Sequence, residues 1–109
     1  MIAADLAGLQ VWVATTPVDM RKSFDGLAEV VRSFLGHDPL SGSLFVFRNK
    51  GGHLVKVLWW DCDGLTIYYK RLERGEFHFP RSNRVVVEIN CEQLLRLLSG
   101  KSMIQRQRA

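Results

Sequence analysis

The sequence predicts an α+β domain in which an antiparallel β-sheet, a meander, carries one long N-terminal helix and one short C-terminal helix packed on it. Three observations lead to this class: an N-terminal stretch with apolar residues at helical spacing, a middle region of short Val- and aromatic-rich runs between tight turns, and a helix-capping pattern near the C-terminus. The 109 residues suffice for one domain. We therefore expect a single domain over 1–109, with its core at about 9–100 and a flexible tail at 101–109.

The first elements are a short strand and the long helix. Gln10–Thr15 alternates in the manner of a strand. Thr16, Pro17 and Asp19 then form a helix start, since threonine caps free amides, proline has the φ of the first helical position and a carboxylate favours the positive end of the dipole. We predict that the helix ends at Gly36 in a left-handed conformation. Its apolar stripe consists of Met20, Phe24, Leu27, Ala28, Val31, Phe34 and Leu35.

The remaining strands are predicted from turns. Asn49–Gly52 and Asp61–Gly64 are tight-turn sequences, and strands joined by tight turns pair antiparallel. Asn90 and Gln93 have the spacing of a capping box, which predicts a second helix that ends before Gly100. The predicted strands of this region are Ser43–Arg48, Leu54–Trp60, Leu65–Arg71, Glu76–Phe79 and Val85–Ile89.

The positive charge is concentrated in the strand region. The chain has 15 Lys and Arg against 11 Asp and Glu, a net charge of +4. Between Arg48 and Arg84 eight basic residues stand against four acidic ones, so this segment contains the whole excess. A local basic field suits a polyanion partner, and a charged surface that only keeps the protein soluble accounts for the same numbers. Interleaved aromatic residues fit base stacking or ordinary core packing.

Patterns typical of catalysis are missing from the sequence. The three histidines lack zinc-ligand spacing, and there is no nucleophile elbow or phosphate-binding loop. Asp61 and Asp63, with Asp19, are conceivable Mg²⁺ ligands, but turn chemistry explains the first two. We therefore expect a protein that is not an enzyme and has no cofactor or metal.

Compartment is predicted from cysteine use and hydropathy. Cys62 and Cys91 form no Cys-x-x-Cys pattern and suit thiols in a reducing cytosol. No apolar run approaches the roughly 20 residues of a membrane span, and the first residues lack the pattern of a secretory signal. We expect a cytoplasmic protein without membrane contact.

Four stretches together carry a family resemblance: Pro17–Leu27, Leu44–Asn49, Leu58–Asp61 and Tyr69–Glu73. They resemble the TnpB-type accessory protein, the second open reading frame (Orf2-like), of the bacterial insertion-sequence family sixty-six. The resemblance extends from about Val11 to Leu98. It implies an accessory role in DNA transposition beside a separate, cognate transposase, and it implies no catalytic residues.

Two modes of action remain open. In the first, lysines and arginines bind the phosphates of the transposon ends. In the second, an outer aromatic patch docks the transposase, or another copy of the chain in a homo-oligomer, without direct DNA contact. Adjacent aromatic pairs send one ring to each face of a strand, so one ring of each pair lies outside a one-sided core. The candidates for nucleic-acid binding are Arg21, Lys22, Arg48, Lys50, Lys56, Lys70, Arg71 and Arg74, and those for a partner interface are Trp59, Trp60, Tyr68 and Tyr69.

Overall fold

The protein folds as a five-stranded sheet between two short helical layers. The structure is a computed structural model and describes residues 8–103, so most of the predicted tail lies outside the described residues. None of the helices in this range has the length and apolar character that a membrane crossing requires. The elements in chain order are β1 (Val11–Ala14), α1 (Phe24–Glu29), a π-helical segment (Val30–Leu35), β2 (Leu44–Arg48), β3 (Leu54–Asp61), β4 (Gly64–Arg71), β5 (Val86–Ile89) and α2 (Cys91–Leu98).

The sheet is mixed, so the predicted antiparallel sheet is wrong. Its strand order is β4-β3-β2-β1-β5, and β1 runs parallel to β2, with Val11 beside Leu44. The other three pairings are antiparallel. The helical connection between β1 and β2 brings the chain back to the end where β1 began, so the next strand runs in the same direction. The tight turns predicted the pairing of β2, β3 and β4, but they carry no information on where β1 inserts.

The predicted long N-terminal helix is also wrong. The helical segments together span residues 24–35, and the chain before Phe24 is irregular. The amide of Val18 donates to the carbonyl of Arg48 at 2.9 Å, and the Lys56 ammonium donates to the carbonyls of Met20 and Lys22, both at 2.8 Å. The carbonyls of Met20 and Lys22, which an α-helix would pair internally, are thus bound by Lys56 of the sheet.

The helical region ends at Gly36, as the sequence predicts. Gly36 has a φ of +72° and occupies the left-handed conformation. The amide of His37 donates to the carbonyl of Val31 at 3.0 Å, which closes the last, widened turn. The apolar stripe was predicted for an α-helix, yet Val30–Leu35 is π-helical. The prediction of a glycine stop is therefore confirmed, whereas the helix type was set by the packing.

The predicted strand Glu76–Phe79 does not form. The chain after β4 instead crosses the β2–β3 turn, because the amides of Leu72 and Phe77 donate to the carbonyls of His53 at 2.9 Å and Gly52 at 2.8 Å. Phe77 is buried there. We call residues 76–82 the strap, since they run over this turn without joining the sheet.

Both faces of the sheet are buried, and the two helices lie on opposite faces. The capping box of α2 is confirmed: Asn90 Oδ1 accepts from the Gln93 amide at 2.7 Å, and Gln93 Oε1 accepts from the Asn90 amide at 2.9 Å. The core cluster between the sheet and α2, with Phe77 of the strap, consists of Val11, Val13, Leu44, Val46, Val55, Val57, Trp59, Phe77, Ile89, Leu94, Leu97 and Leu98. The core cluster between the sheet and the other helical layer consists of Ala14, Leu27, Ala28, Val31, Leu35, Phe45, Phe47 and Leu58.

Candidate nucleic-acid interface

Six basic residues gather at one edge of the sheet, which we call the basic edge. Because β1 and β2 are parallel, their carboxyl ends meet there, and the antiparallel pairings bring the end of β4 and the starts of β3 and β5 to the same edge. Crevices outside the carboxyl ends of parallel strands are common ligand sites. The six residues are Arg48, Lys50, Arg71, Arg74, Arg81 and Arg84.

The loops of the basic edge are tied to the sheet. Thr15, the residue after β1, donates its amide to the carbonyl of Val85 at 3.0 Å and its hydroxyl to the carbonyl of Arg84 at 2.5 Å. The hydroxyl of Ser82 accepts from the amide of Arg84 at 3.0 Å. These bonds hold the polar loop before β5 beside the ends of β1 and β2.

The local charge of the basic edge is strongly positive. In the two segments that build it, 48–53 and 71–84, the six cations stand against two carboxylates, Glu73 and Glu76. Glu73 is bound by Arg71, whose guanidinium lies 3.0 Å from it. Asp61 and Asp63, which belong to the same basic segment of the sequence, lie at the opposite end of the sheet in the β3–β4 turn. The excess of four charges is therefore concentrated in space as well as in sequence.

A cleft of about 440 Å³ opens at the basic edge, between the ends of β1 and β2 and the strap. Basic side chains, two hydroxyls and several rings line it. Glu76 is the single carboxylate among the lining residues. Cations and flat rings in one concavity are the combination by which proteins hold a phosphate and a base together. The lining residues are Thr15, Arg48, Lys50, Gly52, Glu76, Phe77, His78, Phe79, Pro80, Arg81 and Ser82.

Arg48 lies at the back of this cleft and is partly buried. Its terminal nitrogen Nη2 donates to the carbonyl of Thr15 at 3.2 Å, and the guanidinium lies 5.5 Å from the ring centroid of Phe79. Its Nε is buried and has no partner within the described part of the chain. A buried guanidinium N–H without an acceptor is costly and indicates an incompletely satisfied cation.

Two of the lysines predicted to contact nucleic acid bind backbone carbonyls in the structure. Lys56 is buried, and its ammonium lies between the two carbonyls of the loop before α1 and 4.6 Å from the ring centroid of Tyr69. Lys70 donates to the carbonyl of Leu98 at 2.7 Å, at the negative end of α2. These two ammonium groups bind backbone carbonyls and thereby stabilise the fold.

Arg21 and Lys22 are exposed on the loop before α1. The Arg21 guanidinium binds the Asp19 carboxylate through two nitrogens, the closest contact being 2.7 Å. The side-chain and backbone hydrogen bonds from Arg21 lower the pKa of Asp19 from 3.8 to about 2. Asp19 is thus the partner of Arg21. Lys22 shows no side-chain partner among residues 8–103.

The aromatic candidates for a partner interface are distributed over both faces. Trp59 is buried under α2, and Tyr68 packs against the same cluster. Trp60 is partly buried. Tyr69 is 52% exposed on the α1 side. The second layer over each face therefore accommodates most of these rings, and Tyr69 is the candidate that remains open to a partner.

The carboxylates considered for Mg²⁺ do not converge. Asp19 follows the carboxyl end of β1, whereas Asp61 and Asp63 lie at the far end of β3, roughly 25 Å away at the usual strand rise. Within residues 8–103 no three His, Cys, Asp or Glu side chains are grouped so as to hold a metal ion. Asp19, Asp61 and Asp63 therefore do not form a shared Mg²⁺ site in this part of the chain.

Sequence reasoning missed three ring and cation positions of the cleft: His78, Phe79 and Arg81. Their signal was present, since all three belong to the basic, aromatic-rich segment. A strand over Glu76–Phe79 would bury alternate rings, so this prediction kept His78 and Phe79 off the candidate residues, whereas Arg81 entered only the charge count of the basic segment. The strap reveals their common location only once the fold is known.

Comparison with known proteins gives one family. A family model described as "IS66 Orf2 like protein" (TnpB_IS66) matches residues 9–108. An uncharacterized protein of Sinorhizobium fredii (strain NBRC 101917 / NGR234), y4hO, is 45% identical over 92 residues, which cover 84% of this chain and 80% of the relative. A second uncharacterized protein of that organism, y4jC, is 38% identical over 93 residues, covering 85% and 80%.

No solved structure matches this chain. The family match includes the strands, both helical layers and the cleft, so the resemblance seen in the sequence is confirmed. The chain belongs to the IS66 Orf2-like family of insertion-sequence accessory proteins.

Proposed function

We propose that this protein assists transposition of its insertion sequence by binding DNA at the basic edge, without catalysing a reaction itself, in the cytoplasm and beside the cognate transposase. The observation that carries the proposal is the gathering of six cations against two carboxylates where β1 and β2 end. Phosphate contacts dominate the affinity of proteins for DNA, and they need cations that are not already neutralised.

Four cations of the basic edge meet this condition. Lys50, Arg74, Arg81 and Arg84 are exposed, and none forms an ion pair within residues 8–103. Arg71 is paired with Glu73, and Arg48 is held by Thr15 and Phe79. The centre of the proposed DNA surface therefore lies on the loops that follow β2 and β4, and not on the strands themselves.

The test is fluorescence anisotropy with labelled insertion-sequence end DNA and a scrambled duplex, over a salt series. We expect binding that weakens as salt rises, with log K falling by about 0.9 per phosphate contact for each unit of log salt concentration. The variant Lys50→Gln/Arg74→Gln/Arg81→Gln is expected to reduce this slope by about two to three. Arg32→Gln is the control, since it removes an exposed arginine of the π-helical segment, which is not part of the basic edge.

The outcomes are distinct. A triple variant that binds like the wild type, or a wild type that fails to bind at low salt, contradicts the proposal. A preference for the end sequence over the scrambled duplex assigns sequence recognition to the site. Equal affinity for both duplexes assigns a general phosphate-binding role.

A second candidate function is that of an adaptor for the transposase. A second cleft, of about 380 Å³ and mostly apolar, lies on the α1 side of the chain that leaves β1. Phe34 lines it and is 50% exposed, and the two charged lining residues are Lys22 and Asp19, of which Asp19 is paired with Arg21. The occupant that fits is a transposase segment with a bulky apolar side chain next to a carboxylate, because the apolar wall and the lysine complement those two groups.

The adaptor is tested by co-purification with the transposase. Phe34→Ala should abolish retention and Lys22→Glu should weaken it, while Arg32→Gln, on the same helical segment, should leave it intact. Retention that survives both of the first two variants would remove this candidate. Sedimentation of the protein alone distinguishes capture of the transposase from self-association through the same cleft.

A further inference from the structure

We infer that the cleft at the basic edge seats one nucleotide of single-stranded DNA, with its phosphate against the cations and its base against the rings of the strap. The inference rests on the proposed DNA-binding function and specifies the form of DNA that the site takes. It is carried by the position of three consecutive ring-bearing residues, His78, Phe79 and Pro80, in the cation-lined cleft.

The rings are placed to contact a base. The side chain of His78 is exposed, and Phe79 and Pro80 are partly exposed. Phe79 also packs against the α2-side core cluster and has the Arg48 guanidinium over its ring, so only the rest of its surface is open to the cleft. Aromatic and histidine rings bind bases through their flat faces. In a duplex those faces are covered by neighbouring base pairs, and uncovering one costs a few kcal/mol. Rings lining a cleft therefore favour a base that is already unstacked, as in a single strand.

The cleft also contains groups that suit a phosphate, some on the strap next to the rings and some on the β2–β3 turn. Lys50 and Arg81 supply two exposed cations, and Ser82 supplies a hydroxyl. Arg48 lies behind them with its incompletely satisfied guanidinium. Glu76 also lines the cleft and offsets one of these charges. The balance remains positive, so one phosphate is favoured next to the rings.

The cleft is preorganised by backbone hydrogen bonds. The strap is joined to the β2–β3 turn through the bond from the Phe77 amide to the Gly52 carbonyl, and the side chain of Phe77 is buried beneath. At the other end, Ser82 is bound to Arg84, which Thr15 holds at the end of β1. A site whose walls are fixed before binding loses less entropy when it binds.

The experiment compares two probes by fluorescence anisotropy at the same low salt: a labelled oligothymidine of about 12 nucleotides, within the range that single-strand-binding domains cover, and a duplex of the same length. The wild type is expected to prefer the single strand. His78→Ala and Phe79→Leu should each weaken single-strand binding about fivefold or more and leave duplex binding unchanged, since a stacked base contributes about 1–3 kcal/mol. Phe34→Leu is the control, because it alters a half-exposed ring on the other face.

Thermal unfolding of each variant confirms that it is folded, and His78→Ala, at an exposed position, keeps the test decisive if Phe79→Leu is unstable. Equal affinity for both probes, or ring variants that lose nothing, overturns the inference while the proposed function stands. Ring variants that lose affinity for both probes equally also overturn it. If the wild type binds neither probe, the proposed function itself fails.

Discussion

Replacement of the buried Lys56 by methionine is predicted to destabilise the fold by about 2–4 kcal/mol. The ammonium donates two 2.8 Å hydrogen bonds, to the carbonyls of Met20 and Lys22, and lies 4.6 Å from the ring centroid of Tyr69. Hydrogen bonds to a charged group contribute about 1.5–3 kcal/mol each, and a buried cation–π contact contributes about 0.5–2 kcal/mol. Relief of the desolvation cost of the ammonium, which is several kcal/mol, offsets part of that sum.

Urea unfolding, followed by far-UV circular dichroism, measures this loss. Methionine keeps the apolar stem of the lysine, so the difference reports the ammonium and its two carbonyls. Lys22→Met is the matched control, since the same change at an exposed side chain should alter stability by no more than about 0.5 kcal/mol. A loss below about 1 kcal/mol for Lys56→Met would refute the reasoning, because the loop before α1 would then hold its conformation without the ammonium.

Three further predictions concern a glycine, a helix cap and an ion pair. Gly52→Ala should destabilise by about 1–2 kcal/mol in the same urea assay, since Gly52 has a φ of +79° and a Cβ there would lie 3.2 Å from Oε2 of Glu76, whereas Gly64→Ala, with open space at Cβ, should cost less. Asn90→Ala should cost about 1 kcal/mol through loss of the capping box of α2, and Asn90→Ser should recover most of it; equal stability of all three proteins would contradict this role. Because Arg21 lowers the pKa of Asp19 from 3.8 to about 2, the folded state binds this proton less readily than the unfolded state. The resulting stabilisation is present above pH 3.8 and is lost as the pH falls through about 2. The stability of Asp19→Asn should depend less on pH in this window, and an unchanged pH profile of stability would contradict the ion pair.

Local features of the fold were predictable because they depend on neighbours in the chain. The capping box at Asn90 and the left-handed stop at Gly36 are set by backbone chemistry within one turn, and both are observed. The hairpin through the Asp61–Gly64 turn is likewise local, and β3 pairs with β4 on either side of it.

The errors arose where distant residues compete for the same backbone groups. The sequence around Pro17 has the composition of a helix start, but Lys56 of the sheet binds two carbonyls that the first helical turns would need, and the amide of Val18 donates to Arg48 of β2. The run Glu76–Phe79 has the composition of a strand, but the amide of Phe77 donates to the carbonyl of Gly52, and the side chain of Phe77 is buried in the core. Neither choice is visible in a window of ten residues.

The same division applies to the candidate site. Charge counting along the chain located the basic segment, and two of the predicted candidates, Lys50 and Arg74, lie in the basic edge as exposed groups without an ion pair in the described residues. Spacing alone could not separate these residues from Lys56 and Lys70, whose ammonium groups bind backbone carbonyls. Whether a lysine meets solvent or a carbonyl depends on which strand faces which layer, and that is a tertiary property.

By itself, the sequence determined the family, the tight turns between β2, β3 and β4, the capping box of α2, the glycine stop at Gly36 and the sign of the local charge. These features follow from residue types and from contacts between residues a few positions apart in the chain, so the sequence alone predicts them. Only the tertiary structure decided that β1 inserts parallel to β2, that the helices cover opposite faces, and that the strap brings His78, Phe79 and Arg81 beside Arg48. The physical reason is that long-range pairing is selected by the burial of both sheet faces together, a sum over the whole chain that no local pattern contains.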